Sequence, residues 1–274
     1  MMKITTIKQL NQINLDFYEN FATEFAGARE YYWSGWEKLL TSIEKQLGSH
    51  PSQTLKVADV GCGHGRLANF LVENMPLKWQ LHYTGFDSSQ TLLKFAKFKL
   101  KNLPRLKNNT KLISMDLMTQ LLENKTPLLE DNSRPKPIYD LICLFGVFHH
   151  VPAFKLRHQL IHKLLSQLSK QGLLIITFWD FANFDRFEKK IVDPNQVKIN
   201  PHDLEKDDYI LDWKKGGTAY RYCHHTTQDE IKQFLNTPPV DAPFIKAKII
   251  DSFQADGREQ TINRYLVLAL ADRD

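Results

Sequence analysis

Cysteine is scarce in this chain of 274 residues: Cys62, Cys143 and Cys223 stand far apart, and no two form a C-x-x-C pair. An odd, unpaired set excludes a disulfide framework and a cysteine-based metal site, and reads as reduced thiols. Long apolar runs are missing as well. The longest, at 141–148 and 172–179, fall far short of the roughly 20 residues that a bilayer crossing requires. The first residues, M-M-K-I-T-T-I-K, hold no apolar stretch of signal-peptide type, so a soluble, cytoplasmic protein with no membrane partner is expected. Repeats and low-complexity tracts are absent too. What is present, 42% hydrophobic, 11% aromatic and 24% charged residues, excludes a disordered chain and suffices for a substantial core.

Charge is unevenly placed. The chain carries +5 overall, yet no acid occurs between Ser88 and Met115, where Lys94, Lys97, Lys99, Lys101, Arg105, Lys107 and Lys111 stand. Two readings hold for that stretch, a solvated helix face and a patch that tracks phosphates. The ten histidines do not make a metal site. His158 and His162 share a helix spacing, but no Glu follows His158 and no further ligand is spaced to join them, so a solvated helix face is expected and no metal.

The hydrophobic pattern begins with helical spacing at 14–25 and 31–47, stopped by Gly48, and then alternates strand with helix. Strands are expected at 55–60, 81–86, 111–115, 138–145 and 173–178. Helices are expected at 66–74, at 88–100 capped by Ser88, and at 153–169. Near-continuous apolar strands between helices indicate a parallel sheet covered on both faces. Residues 181–234 break the rhythm as an insertion, and 244–250 with 262–270 read as closing antiparallel strands around Gly257.

Residues 57–67, V-A-D-V-G-C-G-H-G-R-L, carry the chemistry. A strand ends at Asp59, and Gly61, Gly63 and Gly65 precede a helix, where glycine permits positive φ and close backbone approach to a ligand. Asp87 ends the next strand at the distance of a ribose-binding acid, and Asp116 ends the one after. A helix cap explains any one of these acids, but three consecutive strand ends point to a ligand.

The D-x-G-x-G-x-G run from Asp59 to Gly65 resembles the first motif of the class I S-adenosylmethionine-dependent methyltransferases, and the resemblance extends over 55–178. It implies an α/β fold: a Rossmann-like, seven-stranded, mostly parallel sheet with helices on both faces, N-terminal helices and a cap insertion. The corresponding division is 1–50 as a helical segment on the substrate side, 51–180 as the cofactor-binding core, 181–236 as the substrate-recognition cap and 237–274 as closing edge strands. By the same resemblance the Gly61–Gly65 turn holds the methionine part of S-adenosylmethionine and Asp87 the ribose. Asp116 and Leu117 contact the adenine, Phe145 and Gly146 border the sulfonium, and Asp59, Cys62, Arg66 and Ser88 complete the site.

The flanks are similar to a narrower family, the tRNA methyltransferases that esterify 5-carboxymethyluridine at the anticodon wobble position. F-A-G-A-R-E-Y-Y-W at 25–33 matches that family's F-x-x-T-R-x-x-x-W element, and R-Y-C-H at 221–224 its R-Y-x-H element. F-H-H-V-P at 148–152 and Trp179 are similar too, whereas Ala28, Ser34 and His64 replace the family's Thr, Pro and Asn. The resemblance implies tRNA and a small zinc-binding activator protein as partners. A carboxylate acceptor is ionised at neutral pH and needs a cation rather than a base, so Arg29 and Arg221 are the expected catalytic clamp, with His224 as an orienting donor. Trp33 and Tyr222 are expected to stack on a base, and His149, His150 and Trp179 to line the substrate pocket. Plainer readings stand beside these: an ion pair with a neighbouring Glu for Arg29, and core packing for His224, Tyr222 and Trp33. A small-molecule methyltransferase, with His149, His150 or His224 as base, is the alternative function.

Overall fold

The computed structural model describes residues 2–48, 54–106, 108–131 and 136–271; Lys107, the division at 50 and the last three residues lie outside them. Three helices come first: α1 (Ile4–Asn20), α2 (Ala22–Gly27) and α3 (Ser34–Leu47). α1 starts well before the expected residue 14 because Ile7, Leu10, Asn14 and Phe17, three or four apart, are all buried on one face. The alternating region follows as β1 (Thr54–Val60), α4 (Arg66–Asn74), β2 (Gln80–Asp87), α5 (Gln90–Leu100), β3 (Thr110–Ser114), α6 (Leu117–Leu122), β4 (Tyr139–Leu144), α7 (Phe154–Leu165) and β5 (Leu168–Trp179). The cap of α5 is Ser89, whose Oγ accepts from Leu92 N at 3.1 Å, and not Ser88. α7 stops earlier than its pattern suggests because Leu168 already pairs with Tyr139 in the sheet.

The insertion contains α8 (Asp185–Glu188), β6 (Ile191–Val192), β7 (Asp208–Trp213), β8 (Ala219–His224) and α9 (Gln228–Asn236), and the described chain closes with β9 (Ala247–Ala255) and β10 (Asn263–Leu270). β9 begins later and runs further than the expected 244–250. α9 was not visible in the apolar pattern; its signal is a capping box, with Thr227 and Glu230 each bonding the other's backbone N–H.

Seven strands form one sheet in the order β3-β2-β1-β4-β5-β10-β9. β1 to β5 are parallel, and β10 runs antiparallel to both its neighbours. This is the expected mostly parallel, Rossmann-like sheet. Side chains alternate across it with the two-residue period of a strand. Ala58 and Val60 of β1, Ile142 and Leu144 of β4, and Leu174 and Ile176 of β5 enter one apolar core. Leu55 and Val57, Leu141 and Cys143, and Leu173 and Ile175 enter the core on the opposite face. Chain order reverses between β1 and β4, which leaves a crevice at their carboxyl ends, the ligand position of open α/β sheets.

A second, antiparallel sheet, β6-β7-β8, lies in the insertion. It is tied to the start of the chain: the Tyr222 amide donates to Asn14 Oδ1 at 2.9 Å. No helix among the described residues is long and apolar enough to cross a membrane. His158 and His162 are not a solvated face. Both are buried, because the chain around α9 covers α7: His158 Nε2 donates to Thr237 O and His162 Nε2 to Phe234 O, each at 2.9 Å.

Candidate functional site

A cavity of about 1090 Å³ opens over the carboxyl ends of β1, β2 and β4. Its two ends differ in chemistry.

At the first end the chain presents backbone and carboxylates. The amides of Gly61 and Cys62 donate to Phe86 O at 2.8 and 3.0 Å, which stitches the glycine turn to β2. Gly61 has φ +76°, and a Cβ there would lie 2.1 Å from Val147 Cγ2; Gly63 has φ +53° and faces open space. The first glycine is therefore required by packing, while a Cβ at the second would project into open space at the cavity wall. Asp87 Oδ2 accepts from Gly63 N and Oδ1 from Ser89 N, at 2.8 and 2.9 Å. Burial pushes the Asp87 pKa upward against those bonds, so a ligand hydroxyl donating to it relieves an under-solvated carboxylate. Asp116 lines the wall with Leu117 and Met118, and it also caps α6 through Met118 N at 3.0 Å. Cys62, Ser88, Phe145 and Gly146 line the same end. The Arg66 guanidinium sits over the rings of Trp33 and Trp36 at 5.6 and 5.3 Å and donates to Tyr31 O at 2.6 Å. Burial, and then nearby Arg29, lower its pKa to about 10.

At the second end the wall is cationic and aromatic. Arg221, on β8, is 5% exposed. Its guanidinium lies 5.0 Å from the ring centre of Phe17, 5.2 Å from Trp213 and 5.7 Å from Trp179. No carboxylate among the described residues comes within ion-pair distance of it, and its Nε has no partner. Arg29 reaches the same cavity, with its guanidinium 5.0 Å from the Phe25 ring centre. Among the described residues its guanidinium makes no ion pair with a Glu, and it donates to Ala28 O at 3.4 Å. Burial lowers the pKa of Arg29, and Arg221, about 190 residues away in sequence, adds to this against the pull of Tyr18.

Tyr18 sits between them, with its hydroxyl donating to His150 Nε2 at 2.8 Å, while His150 Nδ1 donates to Tyr222 O at 2.8 Å. Burial raises the Tyr18 pKa to about 12 and lowers that of His150 to about 3. Burial, with His150 and Arg221 beside it, holds His149 neutral as well. His149, His150 and Cys223 bring ligand atoms within 4.8 Å of one another, but both His150 nitrogens are already bonded, so the cluster offers no third lone pair to a metal.

Four expected site residues do not reach the cavity. Tyr222 cannot stack on a base: its ring is fully buried and its hydroxyl donates to Asp208 Oδ1 at 2.7 Å. His224 orients no ligand, because Nδ1 faces Asp208 at 2.8 Å and Nε2 faces Glu230 at 3.0 Å. Burial opposes its charge, but these two carboxylates outweigh burial and raise its pKa. Asp59 lies beneath the turn, accepting from the Tyr83 hydroxyl at 2.6 Å, and burial raises its pKa to about 7. Gly65 packs against Leu100 and Ala96 of α5. Sequence reasoning missed Tyr18, Arg186, Lys190 and Lys215. An aromatic in an amphipathic helix and scattered cations in an irregular insertion carry no local signature.

The basic stretch divides. Arg105 is spent on four carbonyls, those of Val72, Met75, Pro76 and Trp79, at 2.6–2.9 Å, and Lys111 pairs with Asp131 at 2.9 Å. Lys94, Lys97 and Lys101 remain exposed along α5 beside Phe98, which is 70% exposed.

A doubly wound α/β sheet whose crevice combines a glycine turn with acids at successive strand ends defines the Rossmann-like methyltransferase class of fold. The chain belongs to the methyltransferase domain family, whose model matches residues 28–237. Among solved structures it is similar to an S-adenosylmethionine-dependent methyltransferase from Clostridium acetobutylicum ATCC 824, with TM-score 0.57, 13% identity, and 96% of this chain and 99% of that one covered. Magnesium protoporphyrin IX methyltransferase from Synechocystis PCC 6803, solved with bound SAM, gives TM-score 0.54 and 16% identity over 95% of this chain and 97% of that one. A glycopeptide N-methyltransferase complexed with S-adenosyl-L-homocysteine gives 0.51 and 12%, over 85% and 90%. At these identities the likeness is one of fold. No curated protein sequence matches the chain.

Proposed function

We propose that the protein transfers a methyl group from S-adenosylmethionine to a carboxylate, that of 5-carboxymethyluridine in tRNA. The observation that carries this reading is Arg221: a buried guanidinium, caged by three aromatic rings, facing the cavity without a carboxylate of its own. Tyr18 bonds the guanidinium but carries no charge to balance it; a buried charge without a counter-ion is costly, and a ligand carboxylate removes that cost. A planar fork fits it in two parallel hydrogen bonds.

The first end of the cavity fits the donor. The open space at Gly63 would admit the methionine part against the backbone, Asp87 would accept from the ribose hydroxyls, and Leu117 and Met118 would offer an apolar wall to the adenine. When bound, S-adenosylmethionine supplies an electrophilic methyl group on its sulfonium. The chain's task is then alignment: Arg221 and Arg29 hold the acceptor oxygen in line, and the aromatic walls exclude water. No base is required, since a carboxylate is ionised well below neutral pH. The exposed lysines of α5 supply phosphate contacts that favour RNA over a small acid. The resemblance that suggests tRNA carries with it a small zinc-binding activator protein as partner.

One observation favours the alternative, a small-molecule acceptor deprotonated by histidine: His149 is buried at the cavity with Nδ1 unpartnered. An imidazole held as far below neutrality as His149 and His150 are makes a poor base at pH 7. It also leaves pH–rate profiles flat near neutrality under either reading. Alkali lability separates the two. Label transferred from S-adenosylmethionine to carboxymethyluridine-containing tRNA should leave as methanol in mild alkali, as an ester does; an alkali-stable label would overturn the esterification reading.

A further inference from the structure

A single carboxylate does not balance the charge at the second end of the cavity. Beyond Arg29 and Arg221, the side chains of Arg186, Lys190 and Lys215 line the same wall. Lys190 Nζ and the Arg186 guanidinium lie 5.2 and 5.0 Å from the ring centre of Phe187. Phe187 meets Trp179 edge-on at 5.0 Å, and Trp179 is one wall of the Arg221 cage. The cations are therefore arrayed along one continuous aromatic surface.

Lys215 is fixed in place by its backbone: Trp213 Nε1 donates to Lys215 O at 2.7 Å. The two glycines that follow turn the loop so closely against α2 that a Cβ on Gly216 would lie 2.6 Å from Glu24 Cγ. The nearby acids are already engaged, Asp212 with Lys214 at 3.0 Å and Glu259 with Arg186 at 2.9 Å. Among the described residues, no carboxylate lies within ion-pair distance of Lys190 or Lys215. Burial suppresses the charge of Lys190, and Arg221, Arg186 and Lys215 suppress it further against the pull of Asp212. Such an array repels itself until an anion of more than one charge enters.

We infer that the acceptor carries phosphate as well as the carboxylate, and that Lys190 and Lys215, with Arg186 beside them, form the subsite that holds it. This rests on the carboxylate reading for what Arg221 binds, and adds a second anionic group at a separate place on the same wall. In RNA that group is the backbone flanking the modified base, where phosphate contacts fix register while the base is read elsewhere.

Calorimetry with inorganic pyrophosphate at low salt tests the subsite without turnover. The double variant Lys190→Gln/Lys215→Gln should bind pyrophosphate at least about tenfold more weakly than the parent and should raise KM for tRNA by a similar factor. Arg221→Ala should lower methylation at least about a hundredfold yet keep pyrophosphate affinity within roughly twofold, since it removes no phosphate contact. Equal pyrophosphate affinity in parent and double variant would overturn the proposal, as would its loss in Arg221→Ala, which would merge the two subsites into one. If pyrophosphate binding depends on the lysines while carboxymethyluridine-containing tRNA takes no methyl group, the phosphate subsite stands and the acceptor assignment alone falls.

Discussion

The two ends of the cavity are built by opposite means. The glycine-turn end draws on consecutive strand ends between Val60 and Gly146 and works through backbone amides, small residues and buried carboxylates. The cationic end is gathered from distant segments: Tyr18 on α1, Arg29 after α2, His149 and His150 after β4, Trp179 at the end of β5 and Arg221 on β8. The first end is set by the topology of the sheet, and the side chains there mostly tune it. At the second end the side chains are the site, and the insertion decides what they face. Changes at one end should therefore leave the other largely intact.

Arg221→Ala and Arg29→Ala put that separation to the strongest test. Each should lower turnover at least about a hundredfold by misplacing the acceptor oxygen, with S-adenosylmethionine affinity near that of the parent. Lysine at either position should rescue poorly, since it keeps the charge and loses the fork. Equal losses in cofactor affinity and turnover would break the comparison. Asp87→Ala should show the reverse pattern, weakening cofactor binding by about 1.5–3 kcal/mol through lost charge-assisted bonds, as read by calorimetry, with acceptor KM little changed.

Charge reversal at Lys97 and Lys101, outside both ends, should cost RNA affinity a few fold and flatten its salt dependence; an unchanged salt slope would leave α5 as plain solvated surface. The smallest effect on turnover is expected from Asp59→Asn. The raised pKa of Asp59, about 7, means that the folded protein holds a proton there that the unfolded chain releases near pH 4, so stability falls as pH climbs from about 4 through 7. Asparagine removes that cost. Melting curves at pH 8 should show Asp59→Asn more stable than the parent by on the order of several degrees, with the gap closing toward pH 4.

The strands β1, β2, β4 and β5 were legible because each is largely buried and reads as an apolar run, and glycines punctuate the turns, whereas the edge strand β3 has no buried residue and β6, β7 and β8 of the insertion were not foreseen. Strand ends were less so: β9 and β5 extend past their apolar runs because ladder hydrogen bonds ignore side-chain polarity. The R-Y-C-H run shows the limit at the site. In a strand, successive residues face opposite ways, so Arg221 meets the cavity while Tyr222 and His224 enter the polar network of Asp208 and Glu230. Adjacency in sequence suggested one shared site for three residues that the pleat divides. His158 and His162 failed for a related reason: what covers them arrives with α9, more than 70 residues later.

The hydrogen bond between Asn14 and the Tyr222 amide closes a loop of 208 residues, and this sets an order of assembly. During vectorial synthesis the glycine turn, Asp87 and Gly146 are all present once β4 and its following turn have emerged, whereas α1 waits for β8 before its inner face is covered. Phe17, one wall of the cationic end, stays without Trp213 for that interval, whereas Tyr18 can already meet His150 after β4. The nascent chain thus completes the glycine-turn end of the cavity before the cationic end, and the exposed face of α1 is the surface that a chaperone would meet in between.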